Sequence, residues 1–269
     1  SLVAFEIEEK DIPNAVKILN SHPGISHNYE RNHSFNIWFT IAVAPNSNLG
    51  LEKSIEILAK KTNAKNYIIL PTLKLFKISV KLDTTNKEEK QEKLIQKSFT
   101  NLDLSEYHYK FIKLLQQDIE FKSEPFKFIV DQLNISYDEL FKIIQEFINS
   151  GVMRRFASIL NHRKAGFSAN AMVVWDIDEK KSQDIGEIAA SFSAVSHCYL
   201  RPQYPNWKYN LFTMIHGKTE DDTQKTIEDI ANKIEYRDKM ALYSSKEFKK
   251  VRIIYFSDEF ENWEKENNN

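Results

Sequence analysis

Ser26-His27-Asn28-Tyr29-Glu30-Arg31 returns late in the chain as Ser196-His197-Cys198-Tyr199-Leu200-Arg201. Each copy is followed by an Asn and an apolar strand, Asn36-Ile37-Trp38-Phe39-Thr40 in the first and Asn210-Leu211-Phe212-Thr213 in the second. Many apolar patterns make a core, but few reasons place His, Tyr and Arg at one spacing twice. The repeat divides the chain into two related units, and internal duplication takes precedence over other readings.

Around the first copy the pattern predicts strand, helix, strand, strand, helix, strand. Leu2 to Ile7 is a strand. Asp11 is a candidate cap, Pro13 suits a first helical turn, and Ile12, Ala15, Val16 and Leu19 share a helical face. His22-Pro23-Gly24 stops that helix. Ile25 to Arg31 and Phe35 to Val43 are strands, Leu51, Ile55, Leu58 and Ala59 mark a second helix, and Leu73 to Val80 is the final strand. The second copy repeats the order: Ala171 to Asp176, a helix through Ile185, Ile188, Ala189 and Phe192, strands Val195 to Arg201 and Tyr209 to His216, a helix through Ile227, Ile230 and Ile234, and a last strand Val251 to Phe256. The βαββαβ order predicts two ferredoxin-like sandwiches, an α+β chain. They cover residues 1–83 and 157–258, with 259–269 as a tail.

Between them, residues 84–102 are a charged linker, and 103–156 are helical. Ser136 and Glu139 make a capping box, and Gly151 closes the last helix. Three short helices followed by Val152-Met153-Arg154-Arg155-Phe156 predict a winged helix-turn-helix. Its candidate recognition helix, Tyr137 to Asn149, sets Asp138, Glu139 and Glu146 against Lys142 and has no Arg. Phosphate contacts need Lys and Arg, so the sequence argues against DNA binding by this unit.

The net charge of −1 gives no global attraction to nucleic acid or anionic lipid. No apolar run reaches the length of a membrane span. Cys198 is the lone cysteine, so neither an intrachain disulfide nor a thiolate cage forms, and no basic-then-apolar leader opens the sequence. The expected setting is the cytoplasm. No glycine-rich phosphate loop, HExxH, CxxC or serine elbow occurs, and no intrinsic metal site is expected.

Strand alternation puts His27, Tyr29 and Arg31 on one face, and His197, Tyr199 and Arg201 on one face. In the second copy Ser196, Cys198 and Leu200 would turn to the helices, leaving the trio on the open side of the sheet. A duplicated trio points to a ligand site, although a retained structural pairing would also duplicate. Tyr204, Trp207 and Tyr209 lie in a loop stiffened by Pro202 and Pro205, either packed on itself or walling a planar ligand. His216 falls on the side of Asn210, Phe212 and Met214. Arg154, Arg155, His162, Arg163 and Lys164 form a basic cluster suited to carboxylates or, as a wing, to phosphates.

A winged helix beside such a sandwich resembles the leucine-responsive, AsnC-type regulators. The longer runs Gly151 to Phe156, Leu160 to Phe167, Val195 to Arg201 and Tyr209 to Gly217 resemble the siroheme decarboxylase family more closely. Gly24 to Thr40, with its Asn-Tyr-x-Arg-Asn-His run at Asn28 to His33, resembles the partner subunit of the same enzyme, so both subunit types look fused. The first subunit's own helix-turn-helix is absent from this sequence. The resemblance implies a lyase that removes CO₂ from two acetate side chains of siroheme, in haem d1 or alternative haem synthesis, with no cofactor beyond the substrate's iron. It further implies His197, His27 and His162 as catalytic candidates. Arg31, Arg201, Arg154, Arg155, Arg163, His33, Tyr29, Tyr199, Tyr204, Trp207, Tyr209 and His216 are then substrate-binding candidates. Proton donation and ligation of the siroheme iron both remain open for the imidazoles. An intrachain pseudo-dimer, with possible homo-oligomers, is expected. The competing expectations are a tetrapyrrole-responsive regulator without catalysis and a silent ligand-binding scaffold.

Overall fold

The computed structural model describes residues 1–78, 102–153, 156 and 169–268. The first half contains β1 (Leu2–Glu6), α1 (Ile12–Ser21), β2 (Ile25–Arg31), β3 (Ile37–Ile41), α2 (Gly50–Lys61), β4 (Asn66–Leu70) and β5 (Lys74–Ile78). A helical unit follows, with α3 (Glu106–Leu115), α4 (Lys127–Leu133) and α5 (Tyr137–Ser150). The second half has β6 (Ala169–Asp176), α6 (Ser182–Ser191), β7 (Val195–Leu200), β8 (Leu211–Gly217), α7 (Glu220–Ala231) and β9 (Asp238–Lys250), and α8 (Asp258–Asn267) ends the chain.

Among the described residues, nine strands join one antiparallel sheet in the order β4-β1-β3-β2-β9-β6-β8-β7-β5. The two halves exchange strands. Residues 238–243 of β9 pair with β6, and residues 244–250 run on to pair with β2 of the first half. Reciprocally, β4 stays beside β1 while β5 crosses to β7. Pro71, which lacks an amide hydrogen, separates β4 from β5.

The expected mixed α/β fold with an antiparallel sheet is present, and the pairing of its last strands between halves is what differs from the expected strand plan. β4 was not anticipated, and the strand expected to complete the first half belongs to the other half's sheet. Val251 to Phe256 is not a strand. Val251 N–H donates to the Ser26 carbonyl, and the chain then leaves the sheet. Tyr255 exchanges two 2.8 Å hydrogen bonds with the Gln116 side chain, and the Phe256 ring meets Tyr109 at 4.5 Å. The apolar run that resembles a strand is therefore used to dock the helical unit. The expected tail is helical in α8, and Asp11 precedes α1 without a side-chain capping bond.

Three cores follow from this topology. Val3, Phe5, Leu19, Ile25, Phe39 and Leu58 fill the helix-bearing side of the first half. Val173, Trp175, Ala189, Cys198, Ile215 and Ile230 fill that of the second. The helix-free faces share a third, in which Ala4, Trp38 and Leu70 meet Val174, Trp207 and Phe212. Burial at about 25 cal/mol per Å² makes this joint core help the exchanged strands hold the halves together. A fourth core, of Phe111, Ile129, Leu140 and Phe147, sits within α3 to α5. Ser136 and Glu139 form the expected capping box, and Gly151 ends α5 at φ 75°, the left-handed cap that glycine adopts without strain.

Candidate functional site

Both copies break register at the same place. The pairing of β2 with β3 shifts between Ile25 and His27, and that of β7 with β8 between Val195 and His197. One extra residue, Ser26 or Ser196, makes a β-bulge, a device that re-aims the side chains beyond it. Ile25 and Asn28 thereby both turn to the helices, as do Val195 and Cys198. The His-Tyr-Arg trios turn to the helix-free face, where Tyr199 packs on the joint core. The expected orientation of Cys198 and Leu200 holds, whereas Ser196 spends its hydroxyl on imidazoles, 2.7 Å from His197 Nδ1 and 2.7 Å from His216 Nε2.

Along each strand the trio forms a ladder. His27 stacks beside Tyr29 at 6.2 Å, and His197 beside Tyr199 at 6.1 Å. Arg31 lies 5.6 Å from the Tyr29 ring, and Arg201 lies 4.8 Å from the Tyr199 ring. Both guanidinium groups are buried, at 6% and 8% exposure. They clasp opposite halves: Arg31 Nη1 donates to the Leu242 carbonyl at 2.7 Å, and Arg201 Nη1 donates to the Leu70 carbonyl. Neither forms an ion pair with a described carboxylate, and the Nε of each is buried without a hydrogen-bond partner. Burial lowers both from the ordinary 12.5 to about 10. A buried cation that meets only carbonyls, a hydroxyl and aromatic rings is electrostatically incomplete, and a carboxylate would complete it.

The duplicated Asn is structural. Asn36 exchanges two hydrogen bonds with the Ile7 backbone, at 3.0 and 2.8 Å, and Asn210 does the same with Ile177, at 3.0 and 3.1 Å. Each amide replaces the strand partner missing at the end of β1 or β6.

The copies differ around their imidazoles. His27 pairs across the sheet with Lys250, and Tyr29 with Glu247; burial first, and Lys250 second, lower the His27 pKa. His197 pairs with Ile78 and Tyr199 with Leu75. Among the described residues the second copy extends further, from Ser196 to His216 and from His216 Nδ1 to Asn170 Oδ1 at 2.6 Å. In the first, Ser26 Oγ lies 2.8 Å from both His27 Nδ1 and Thr40 Oγ1.

The aromatic loop fastens the halves together. Trp207 is buried against Trp38 at 5.3 Å and His33 at 5.5 Å, the Tyr204 hydroxyl donates to the Ile69 carbonyl at 2.6 Å, and the Tyr209 hydroxyl donates to Asp238 at 2.8 Å. Burial and that carboxylate push Tyr209 up to about 12. His33 Nδ1 accepts from Phe35 N–H at 3.0 Å. Arg154, Arg155, His162, Arg163 and Lys164 lie outside the described residues. A cavity of about 290 Å³, lined by Glu106, Lys113, Glu261 and Glu264 among others, lies between α3 and α8 and includes none of the expected site residues. Among the described residues no group of three or more His, Cys, Asp or Glu could hold a metal ion. The Cys198 thiol is fully buried and its pKa is raised by desolvation, so it is no nucleophile.

Sequence reasoning missed Asn170, the bulges and the strand exchange. The serine before each histidine was the available signal, because both copies retain it.

The family model for an AsnC-like ligand binding domain matches residues 1–77 and 164–249, which takes in both trios and omits α3 to α5. The siroheme decarboxylase of Hydrogenobacter thermophilus is 38% identical over 99% of this chain and 79% of its own. The chain belongs to the siroheme decarboxylase family. The beta subunit of the Methanosarcina barkeri siroheme decarboxylase is 40% identical over 54% of this chain and 95% of its own length, so one subunit of that relative corresponds to about half of this chain. A crystal structure of the siroheme decarboxylase NirDL in co-complex with an iron-uroporphyrin III analogue superposes with a TM-score of 0.77 at 32% identity, covering 99% of this chain and 77% of that one. Membership of the family thus spans both halves and the helical unit between them.

Proposed function

We propose that this chain decarboxylates siroheme, converting two acetate side chains to methyl groups and yielding didecarboxysiroheme. The observation that carries the reading is the pair of buried guanidinium groups of Arg31 and Arg201, each in a His-Tyr-Arg ladder and neither paired with a carboxylate among the described residues. A macrocycle bearing many carboxylates has the complementary charge. Holding the carboxylates that do not react supplies orientation without stabilising the reacting one.

Losing CO₂ leaves an electron pair on the exocyclic carbon. The macrocycle delocalises it, and a proton delivered to that carbon completes the methyl group. A histidine that titrates near neutrality is suited to this delivery. His197 is the first candidate, because Ile78 and Leu75 flank its strand where Lys250 and Glu247 flank the first copy. The iron enters and leaves with the substrate, and no further cofactor is invoked.

The finer architecture belongs to the same proposal. The halves are ferredoxin-like units exchanging their last strands, with α3 to α5 a helix-turn-helix kept for packing. The exposed side of α5 carries Asp138, Glu139 and Glu146 against Lys142, which opposes phosphate binding. Among the described residues no helix is long and apolar enough to cross a membrane, and we place the protein in the cytoplasm.

Anaerobic incubation with siroheme, followed by mass spectrometry of the tetrapyrrole, tests the reading. Loss of two CO₂ is expected. Tight binding without a mass change would instead indicate a ligand-responsive regulator, and no binding would leave a scaffold.

A further inference from the structure

Among the described residues, the second copy contains a polar chain that the first lacks. His216 Nδ1 lies 2.6 Å from Asn170 Oδ1, His216 Nε2 lies 2.7 Å from Ser196 Oγ, and Ser196 Oγ lies 2.7 Å from His197 Nδ1. An amide oxygen only accepts, so His216 Nδ1 carries hydrogen and Nε2 of the neutral ring offers a lone pair. Two lone pairs 2.7 Å apart would repel, so the Ser196 hydroxyl hydrogen lies between that oxygen and His216 Nε2. The Met214 carbonyl, at 3.4 Å, is the weaker acceptor. With its hydrogen committed, Ser196 Oγ can only accept from His197.

We propose that Asn170, His216 and Ser196 form a positioning relay that holds His197 as its Nδ1–H tautomer, with the lone pair on Nε2. In the first copy no such direction is imposed. Ala42 occupies the place of His216: its N–H donates to the Gly24 carbonyl as that of His216 donates to the Ala194 carbonyl. Ser26 meets instead the Thr40 hydroxyl, which donates or accepts equally well. The two imidazoles come from one duplicated motif, yet only His197 has a fixed tautomer. Nε2 takes up a proton from solvent to give the imidazolium, passes that proton to the exocyclic carbon and leaves the Nδ1–H tautomer behind, so the relay assigns delivery at Nε2 to the second half and a binding role to the first.

The kinetic consequence rests on the decarboxylase reading, whereas the tautomer does not. The test is ring-¹⁵N histidine NMR of the full chain without tetrapyrrole, in mildly alkaline buffer where the imidazoles are neutral. The His197 signal is identified by its loss in His197→Asn. Wild type should show His197 with hydrogen on Nδ1 alone. His216→Phe, or Asn170→Leu as the milder disruption, should give a mixture of tautomers. Either should lower kcat roughly ten- to a hundredfold, the usual cost of losing an orienting partner, with little change in KM. His216→Gln retains an acceptor for Ser196 and should recover much of both signals. Hydrogen on Nε2 of wild-type His197, or a tautomer unchanged in both disrupting variants, overturns the relay. A fixed Nδ1–H tautomer in a protein that releases no CO₂ would keep the relay and reject the reaction.

Discussion

Replacing Arg201 with Met separates a guanidinium that waits for a carboxylate from one that only clasps the two halves. Burial lowers the Arg201 pKa from 12.5 to about 10, a penalty of about 3 kcal/mol on its charged form. Against this stand the bond to the Leu70 carbonyl, about 1.5 to 3 kcal/mol for a charged donor, and contacts with Tyr199 and Phe212 of about 1 kcal/mol. Methionine removes the penalty and these attractions together while filling similar volume. The urea midpoint of Arg201→Met should therefore lie within roughly 1 to 2 kcal/mol of wild type. Tetrapyrrole binding should weaken far more, by about ten- to a hundredfold in an anaerobic absorbance titration, because a charge-assisted bond to a carboxylate is lost. Stability reduced by more than about 3 kcal/mol with unchanged affinity would refute the reasoning and make Arg201 a structural clasp.

Two further outcomes follow from the same geometry. Burial, with Lys249 adding to it, holds His22 at about 3, below its ordinary 6.5. The unfolded chain then binds a proton that the folded chain refuses, so stability present above about pH 6.5 falls as the pH drops toward 3, by about 2 kcal/mol at pH 5. Urea unfolding at pH 7 and pH 5 should show this slope in wild type and a flatter one in His22→Asn; equal slopes would exclude His22 as the cause. Asn210→Ala should cost about 2 to 3 kcal/mol, since it leaves the Ile177 N–H buried and unpaired, and a thermal melt reads the loss. An unchanged melting temperature would mean that water takes over the clamp.

Most of the local structure was legible because it depends on neighbours in sequence. The periodicity of Ile12 to Leu19, the Ser136–Glu139 box and the Gly151 stop each appear in the structure as their residues predict. The duplicated trio was legible for the same reason, and its shared face follows from strand alternation. Val251 to Phe256 misled, because an apolar run states that it will be buried and not against what; it meets the helical unit rather than a strand. His216 could be placed on the correct side of its strand, but not beside Ser196.

The sequence by itself determined that this is a duplicated α+β chain and which polar groups it repeats, since both are carried by composition and spacing. Only the tertiary structure decided that β5 and the end of β9 are exchanged between halves, because backbone pairing has no preference that the strand's own residues express. It also decided that Arg31 and Arg201 are buried against carbonyls and that one of two equivalent imidazoles gains a relay. Burial and hydrogen-bond partnership are properties of neighbours distant in the chain, and a bulge of one residue is enough to change them.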